Sequence, residues 1–131
     1  MQDNKILLFD TCALLYYLFE PDIITSAAHL SINAAEKIAV SSITVWEVGI
    51  KINRGKLRLP IAYNEFCMRL KIAQDLVIIN PDIEIWQKSI NLEWPHRDPA
   101  DRVIVATALS GSLRLATSDR EIREYYSACV W

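Results

Sequence analysis

Residues 96–109, HRDPADRVIVATAL, constrain the fold more than any other stretch of the chain. The segment opens with a histidine, two arginines and two aspartates, then turns apolar from Val103 to Leu109. Pro99 suits the first position of a helix, where its missing N–H costs nothing, and Asp98 before it is a natural N-cap. The expected helix begins at Asp98, carries Asp101 in its first turn, and is apolar on nearly every side. Such a helix lies buried between other layers, and its charged mouth must open onto something that needs carboxylates.

The remaining chain alternates strand and helix signals. Lys5–Asp10 (KILLFD) is a continuous apolar run ending in an acid, the pattern of a strand buried on both faces. A helix over Thr11–Phe19 follows, stopped by Pro21. An amphipathic helix is expected from about Thr25 to Lys37, then a short strand at Ile38–Val40. Ser41 or Ser42 caps a helix over Ile43–Asn53, which Gly55 ends. Pro60 is read as starting a helix that runs to about Gln74, before a buried strand at Leu76–Ile79. Asn80 and Pro81 are expected to cap a helix through Trp86 and Ile90. Leu113–Ala116 is a further strand, Ser118 and Glu121 have capping-box spacing, and Ala128–Trp131 suits a last strand. The pattern implies an α/β fold with a parallel sheet in one domain over residues 1–131.

Composition excludes several alternatives. A chain of 131 residues that is 52% hydrophobic, with three glycines, buries a core without staples. Cys12, Cys67 and Cys129 are odd in number and far apart, which fits a reducing compartment, and a cytoplasmic location is expected. The apolar run Ile6–Phe19 is interrupted by Asp10 and is too short to span a bilayer, so no membrane association is expected. A net charge of −2 and pI of 5.6 argue against a general nucleic-acid coat protein. They do not argue against an enzyme whose acids surround a cation, because the ion reverses the local sign.

Four acids fall where a crevice would form. Asp10 follows the first strand, Glu47 sits among Val45, Trp46, Val48 and Ile50, Asp101 lies in a first helical turn, and Asp119 follows a later strand. In open parallel sheets the ligand crevice lies beyond the carboxyl ends of the strands. Clustered carboxylates repel unless a cation holds them, and an all-oxygen set favours Mg²⁺ or Mn²⁺ over zinc. Each acid also has a plain structural reading: Asp98 an N-cap, Asp101 half of a capping box, Asp119 a partner of a helix dipole. His96 reads as a surface or supporting residue rather than a general base. Asp10 has no packing reason to end a buried strand. Lys51 lies four residues after Glu47 on one helical face. With Arg54, Lys56 and Arg58 it forms an acid-free basic stretch, either a solvated helix end or a phosphate-contacting rim.

Four segments, LLFDTCALLYYL, SSITVWEVGIKINRGKLRLP, HRDPADRVIVATAL and LRLATSDREIREY, occur in an order and spacing that resemble a PIN-domain ribonuclease of the VapC toxin type. The resemblance covers nearly the whole chain. It implies a three-layer α/β/α sandwich around a parallel sheet of four to five strands. It also implies RNA cleavage by metal-activated water with Mg²⁺ (or Mn²⁺), homodimerisation, and neutralisation by a small antitoxin. By this resemblance Asp10, Glu47, Asp101 and Asp119 match the family's acidic quartet. Asp10 and Asp101 match the acids that touch the metal, and Thr117 matches the hydroxyl residue supporting the last acid. Lys51 and Arg54 are the expected RNA contacts. Glu47 would orient or deprotonate the water, and Asp119 would complete the acidic shell.

Rival readings fit less well. A haloacid-dehalogenase-type phosphatase needs an acid where Cys12 stands. A phospho-receiver domain needs an adjacent acid pair after the first strand, which is missing. The main alternative is a PIN-fold protein that binds RNA or an antitoxin without detectable general nuclease activity.

Overall fold

In the computed structural model, which describes residues 3–131, five parallel strands form one sheet in the order β3-β2-β1-β4-β5. The central strand β1 (Asp3–Phe9) leads into α1 (Thr11–Phe19), a short 3₁₀ turn and α2 (Ser26–Ala34). The chain returns as β2 (Lys37–Ser41), continues through α3 (Ser42–Asn53) and α4 (Tyr63–Ile72), and reaches the edge strand β3 (Leu76–Ile79). It then crosses to the other side of β1 through α5 (Ile83–Asn91) and α6 (Pro99–Gly111) to form β4 (Leu113–Ala116). α7 (Arg120–Tyr125) and β5 (Cys129–Val130) complete the sheet. The strand order reverses direction at β1, so the switch point where a crevice opens is the gap between the carboxyl ends of β1 and β4.

The layers follow from the period of two along each strand. Leu7, Phe9 and Val40 pack with Ala13, Leu14, Ala28, Val48 and Phe66 on one face. Leu8, Ala39 and Leu115 pack with Ile104, Val105, Ala108 and Ile122 on the other. The expected α/β/α sandwich with five strands is therefore the observed one. The helix expected at Asp98 runs over Pro99–Gly111 with Asp98 as its N-cap, and residues 103–108 are all buried.

Several boundaries differ from the sequence reading. The segment after Gly55 (φ 70°) is not helical at Pro60; α4 starts at Tyr63 instead. Leu57, Leu59 and Ile61 lie against the first core layer as an extended stretch, with a period of two that outweighs the helix-start signal of the proline. α2 stops at Ala34 rather than Lys37, because Glu36 donates its N–H to Lys5 O and Lys37 pairs with Ile6 in the sheet. Asp82, not Asn80, caps α5 by accepting from the Ile85 N–H at 2.9 Å. Ser118 does not form a capping box with Glu121; Asp119 is the N-cap of α7.

The connection from α5 to α6 has no regular structure and is held by one side chain. Arg102 donates from Nε to Ser89 O at 3.0 Å and from Nη1 to Trp94 O at 2.6 Å and His96 O at 3.0 Å. Its Nη2 reaches Leu92 O at 2.9 Å and Ile90 O at 3.4 Å. A loop whose carbonyls would otherwise face protein is thus satisfied by a single guanidinium. Replacing Arg102 by Ala orphans these carbonyls and is expected to lower stability by about 3 kcal/mol in urea unfolding. An unchanged unfolding midpoint would mean that water satisfies the loop equally well.

Candidate active site

Asp10 is the most buried of the acids, at 2% exposure, directly after β1 and capping α1. Its Oδ1 accepts from the Ala13 N–H at 2.8 Å and its Oδ2 accepts from Thr117 Oγ1 at 2.5 Å. Thr117, buried after β4, in turn accepts the Asp119 N–H at 3.0 Å. One hydroxyl therefore joins the first and last acids of the chain. Burial pushes the Asp10 carboxyl up to about 7; the two hydrogen bonds oppose this, while Asp101 and Asp119 add to it.

Asp101 sits in the first turn of α6, its N–H held by Asp98 Oδ1 at 3.0 Å. Burial raises its pKa to about 6 against the hydrogen bond from His96, with Asp98 and Glu47 adding repulsion. Asp119 accepts from the Glu121 N–H at 2.9 Å as the cap of α7. Ligand atoms of His96, Asp101 and Asp119 all lie within 4.8 Å of one another. Asp10 and Glu47 stand outside that triplet but within electrostatic reach, Asp10 of Asp101 and Asp119, and Glu47 of Asp101.

Glu47, 7% exposed on α3, has its own supports. Lys51 Nζ lies 2.9 Å from Oε2, the pair expected from the four-residue spacing. Thr11 donates to Oε1 and, its only proton being used there, accepts from Thr44 at 3.1 Å. Arg54 is exposed beyond Lys51 and makes no ion pair among the described residues.

Sequence reasoning gave Thr11 and Thr44 no role, and nothing in their local pattern distinguishes them from ordinary helix residues. It also set His96 aside as peripheral. The imidazole instead lies between two carboxylates, Nε2 2.7 Å from Asp101 Oδ2 and Nδ1 2.5 Å from Glu121 Oε2. Burial disfavours its charge, but the hydrogen bonds it donates to Asp101 and Glu121 outweigh that and raise its pKa. Trp94 stacks on its ring at 4.5 Å and on Tyr125 at 4.7 Å. Trp131 packs on Tyr16, and Tyr126 is buried with its hydroxyl donating to Leu113 O at 2.5 Å, so both belong to the core.

The donor set suits a divalent cation. Both nitrogens of His96 are taken by hydrogen bonds to carboxylates, so the donors left to an ion are carboxylate oxygens, which suit a hard divalent cation. Two of the carboxyls are held well above the ordinary range, chiefly by burial, with repulsion from neighbouring acids adding to it. Among the described residues, Asp101 and Asp119, with His96 beside them, bring their ligand atoms close enough to share one ion, and Asp10 is within electrostatic reach of both aspartates.

Residues 7–128 match the PIN domain family. The chain belongs to that family. This PIN domain is similar to ribonuclease VapC22 of Mycobacterium tuberculosis (strain ATCC 25618 / H37Rv), with 29% identity over 118 residues, 90% of each chain. Among solved structures, a chain of a toxin–antitoxin complex from Klebsiella pneumoniae aligns with a TM-score of 0.66 at 24% identity, over 95% of this chain and 96% of that one. VapC20 of Mycobacterium tuberculosis, a sarcin–ricin loop cleaving toxin, aligns with a TM-score of 0.66 at 9% identity, over 91% and 94% of the two chains. These two structures establish the shared fold of the PIN domain.

The raised carboxyls set a stability profile. A group whose folded pKa is raised holds a proton that the unfolded chain releases, so its contribution is full below the unfolded value and lost as pH rises through the folded one. For Asp10 that window runs from 3.8 to about 7, and for Asp101 from 3.8 to about 6. His96 shifts upward as well and acts in the same direction. The melting temperature of the metal-free PIN domain is expected to fall between roughly pH 4 and roughly pH 7, and Asp10→Asn should remove most of that fall. A flat profile in the wild type would contradict the burial argument.

Proposed function

We propose that this PIN domain is a metal-dependent endoribonuclease, the toxin of a VapBC-type toxin–antitoxin pair. The reading is carried by the convergence of Asp101, Asp119 and His96 within 4.8 Å at the sheet's switch point, with Asp10 and Glu47 beside them. Similarity to a named ribonuclease over 90% of the chain supports it. In this reading Asp10 and Asp101 hold Mg²⁺, for which Mn²⁺ can substitute, and Asp119 completes the acidic shell. When bound, the ion neutralises charge on the phosphate under attack and lowers the pKa of water.

The chain's own residues supply the rest. Glu47, held between Thr11 and Lys51, orients the attacking water and accepts its proton as the water meets the phosphorus in line with the leaving oxygen. Thr117 keeps Asp10 and the Asp119 backbone in register. His96 fixes the rotamer of Asp101. Lys51 and Arg54 contact substrate phosphates along α3. The chain acts as a homodimer, is silenced by a small antitoxin, and works in the cytoplasm; no helix among the described residues is long and apolar enough to cross a membrane.

The test is incubation of purified protein, freed of copurifying partner, with total bacterial RNA in Mg²⁺, Mn²⁺ or EDTA. Discrete fragments are expected with the metals and none with EDTA, and Asp101→Asn should slow cleavage by ~100-fold or more. Cleavage that survives EDTA or this substitution would overturn the reading. Metal binding without cleavage would leave the site standing and point to a substrate absent from that RNA, and neither metal binding nor cleavage would favour the binding-protein alternative. On the substrate side, Lys51→Gln and Arg54→Gln should each reduce the slope of log affinity against log salt by roughly 0.7 on single-stranded RNA. An unchanged slope would return both residues to a solvated helix end.

A further inference from the structure

Trp46 presents its indole to solvent at 56% exposure, directly before the buried Glu47 on α3. It borders a depression of about 260 Å³ whose walls include the acids Glu47 and Asp98 and the cations Lys51, Arg54 and Lys56. The depression therefore runs from an aromatic face, across three cations, to the wall of the acidic site. No acid occurs between Glu47 and Glu65 in the sequence, and Arg54 and Lys56 make no ion pair among the described residues. Their charge is uncommitted within the chain.

Other exposed aromatic surface is different in kind. Trp86 stands with Ile83 and Ile90 on the outer side of α5, an apolar strip without cations. Trp94 is already stacked against His96 and Tyr125, in a depression lined by Glu121 and Glu124 with no lysine or arginine in its walls. Trp46 alone among them combines a free ring with positive charge at its side and the acids within one residue.

We propose that Trp46 is a stacking platform for one unpaired nucleobase of the RNA next to the scissile phosphate, with Lys56 joining Lys51 and Arg54 on the flanking phosphates. The inference rests on the ribonuclease reading and specifies which side chain positions the strand there, a role that requires an unpaired base. Bases in a helix already stack on their neighbours and offer no free face, whereas an unpaired base can cover an indole while its phosphates meet lysine and arginine. Stacking tolerates any base, so this platform sets the register of the strand and leaves sequence choice to other contacts.

The experiment measures binding of a fluorescein-labelled, mixed-sequence RNA of about 12 nucleotides, single-stranded or annealed to its complement, long enough to cross the depression. Ca²⁺ replaces Mg²⁺, and probe integrity is checked on a gel after each titration. Trp46→Ala is expected to weaken single-strand binding by about tenfold or more while leaving the salt slope unchanged, because stacking releases no counterions. Trp46→Phe should retain affinity within about threefold, and duplex binding should change by less than about twofold. Wild-type affinity for the single strand in Trp46→Ala overturns the inference and leaves that face to a protein partner. Equal losses on single strand and duplex overturn it as well. If the wild-type protein binds neither form, the ribonuclease reading fails and this inference with it.

Discussion

The hydrogen bond from Thr117 to Asp10 is the contact on which the site depends. It spans 107 residues of sequence and joins the carboxyl ends of β1 and β4, the strands flanking the switch point. Asp10 also caps α1, and Thr117 also holds the N–H of Asp119, the cap of α7. Two helices and two strands are thus aligned by one carboxylate and one hydroxyl. Because Asp10 is buried, losing either partner would leave a desolvated polar group, so the arrangement is strongly specified. The same burial that fixes the geometry keeps the carboxyl short of compensating charge, and this makes the crevice suited to a cation.

Charge compensation differs from acid to acid. Glu47 has Lys51 and one threonine; Asp101 has His96; Asp10 has only neutral donors. The acid with no cation beside it has its pKa pushed highest, to about 7, and Asp101, with the imidazole, is held at about 6. This gradient follows from burial and local partners, not from the number of acids. It places the greatest demand for positive charge at the base of the crevice, behind the rim where α3 carries its cations.

Much of the fold was legible because it rests on local patterns. β3, β4 and α1 occupy the residues that periodicity assigns, and the helix read from HRDPADR begins where its cap and proline put it. The parallel five-stranded sheet follows from apolar runs alternating with helices. Boundaries failed where tertiary contact outweighed propensity. Lys37 joined the sheet beside Ile6, and Leu57, Leu59 and Ile61 lay extended over the core in spite of Pro60. Asp10 could be picked out singly, since a carboxylate ending a buried strand lacks a packing reason, whereas Glu47, Asp101 and Asp119 stood out only as members of a set. Their supports could not be picked out. Thr11 meets Glu47 across 36 residues and His96 meets Glu121 across 25, distances over which no sequence period carries information.

His96 illustrates how irregular structure reaches the same precision as the strands. Its position depends on a loop without repeating backbone hydrogen bonds, so ordering that loop carries an entropic cost that regular structure would offset through its ladder. Arg102 replaces the ladder with a rigid fork that gathers five carbonyls from Ser89 to His96. It lies one residue after Asp101, so the helix that presents the acid also anchors the loop that presents its imidazole partner. Trp94 then stacks on the ring, and Glu121 takes the nitrogen that Asp101 leaves. The HRDPADR segment therefore folds as one unit. Its histidine meets its second aspartate, its first aspartate caps the helix, and its second arginine closes the loop. Apart from the exposed Arg97, the charge that opens the segment is consumed within the fold rather than solvated, which explains why so polar a sequence leads into a buried helix.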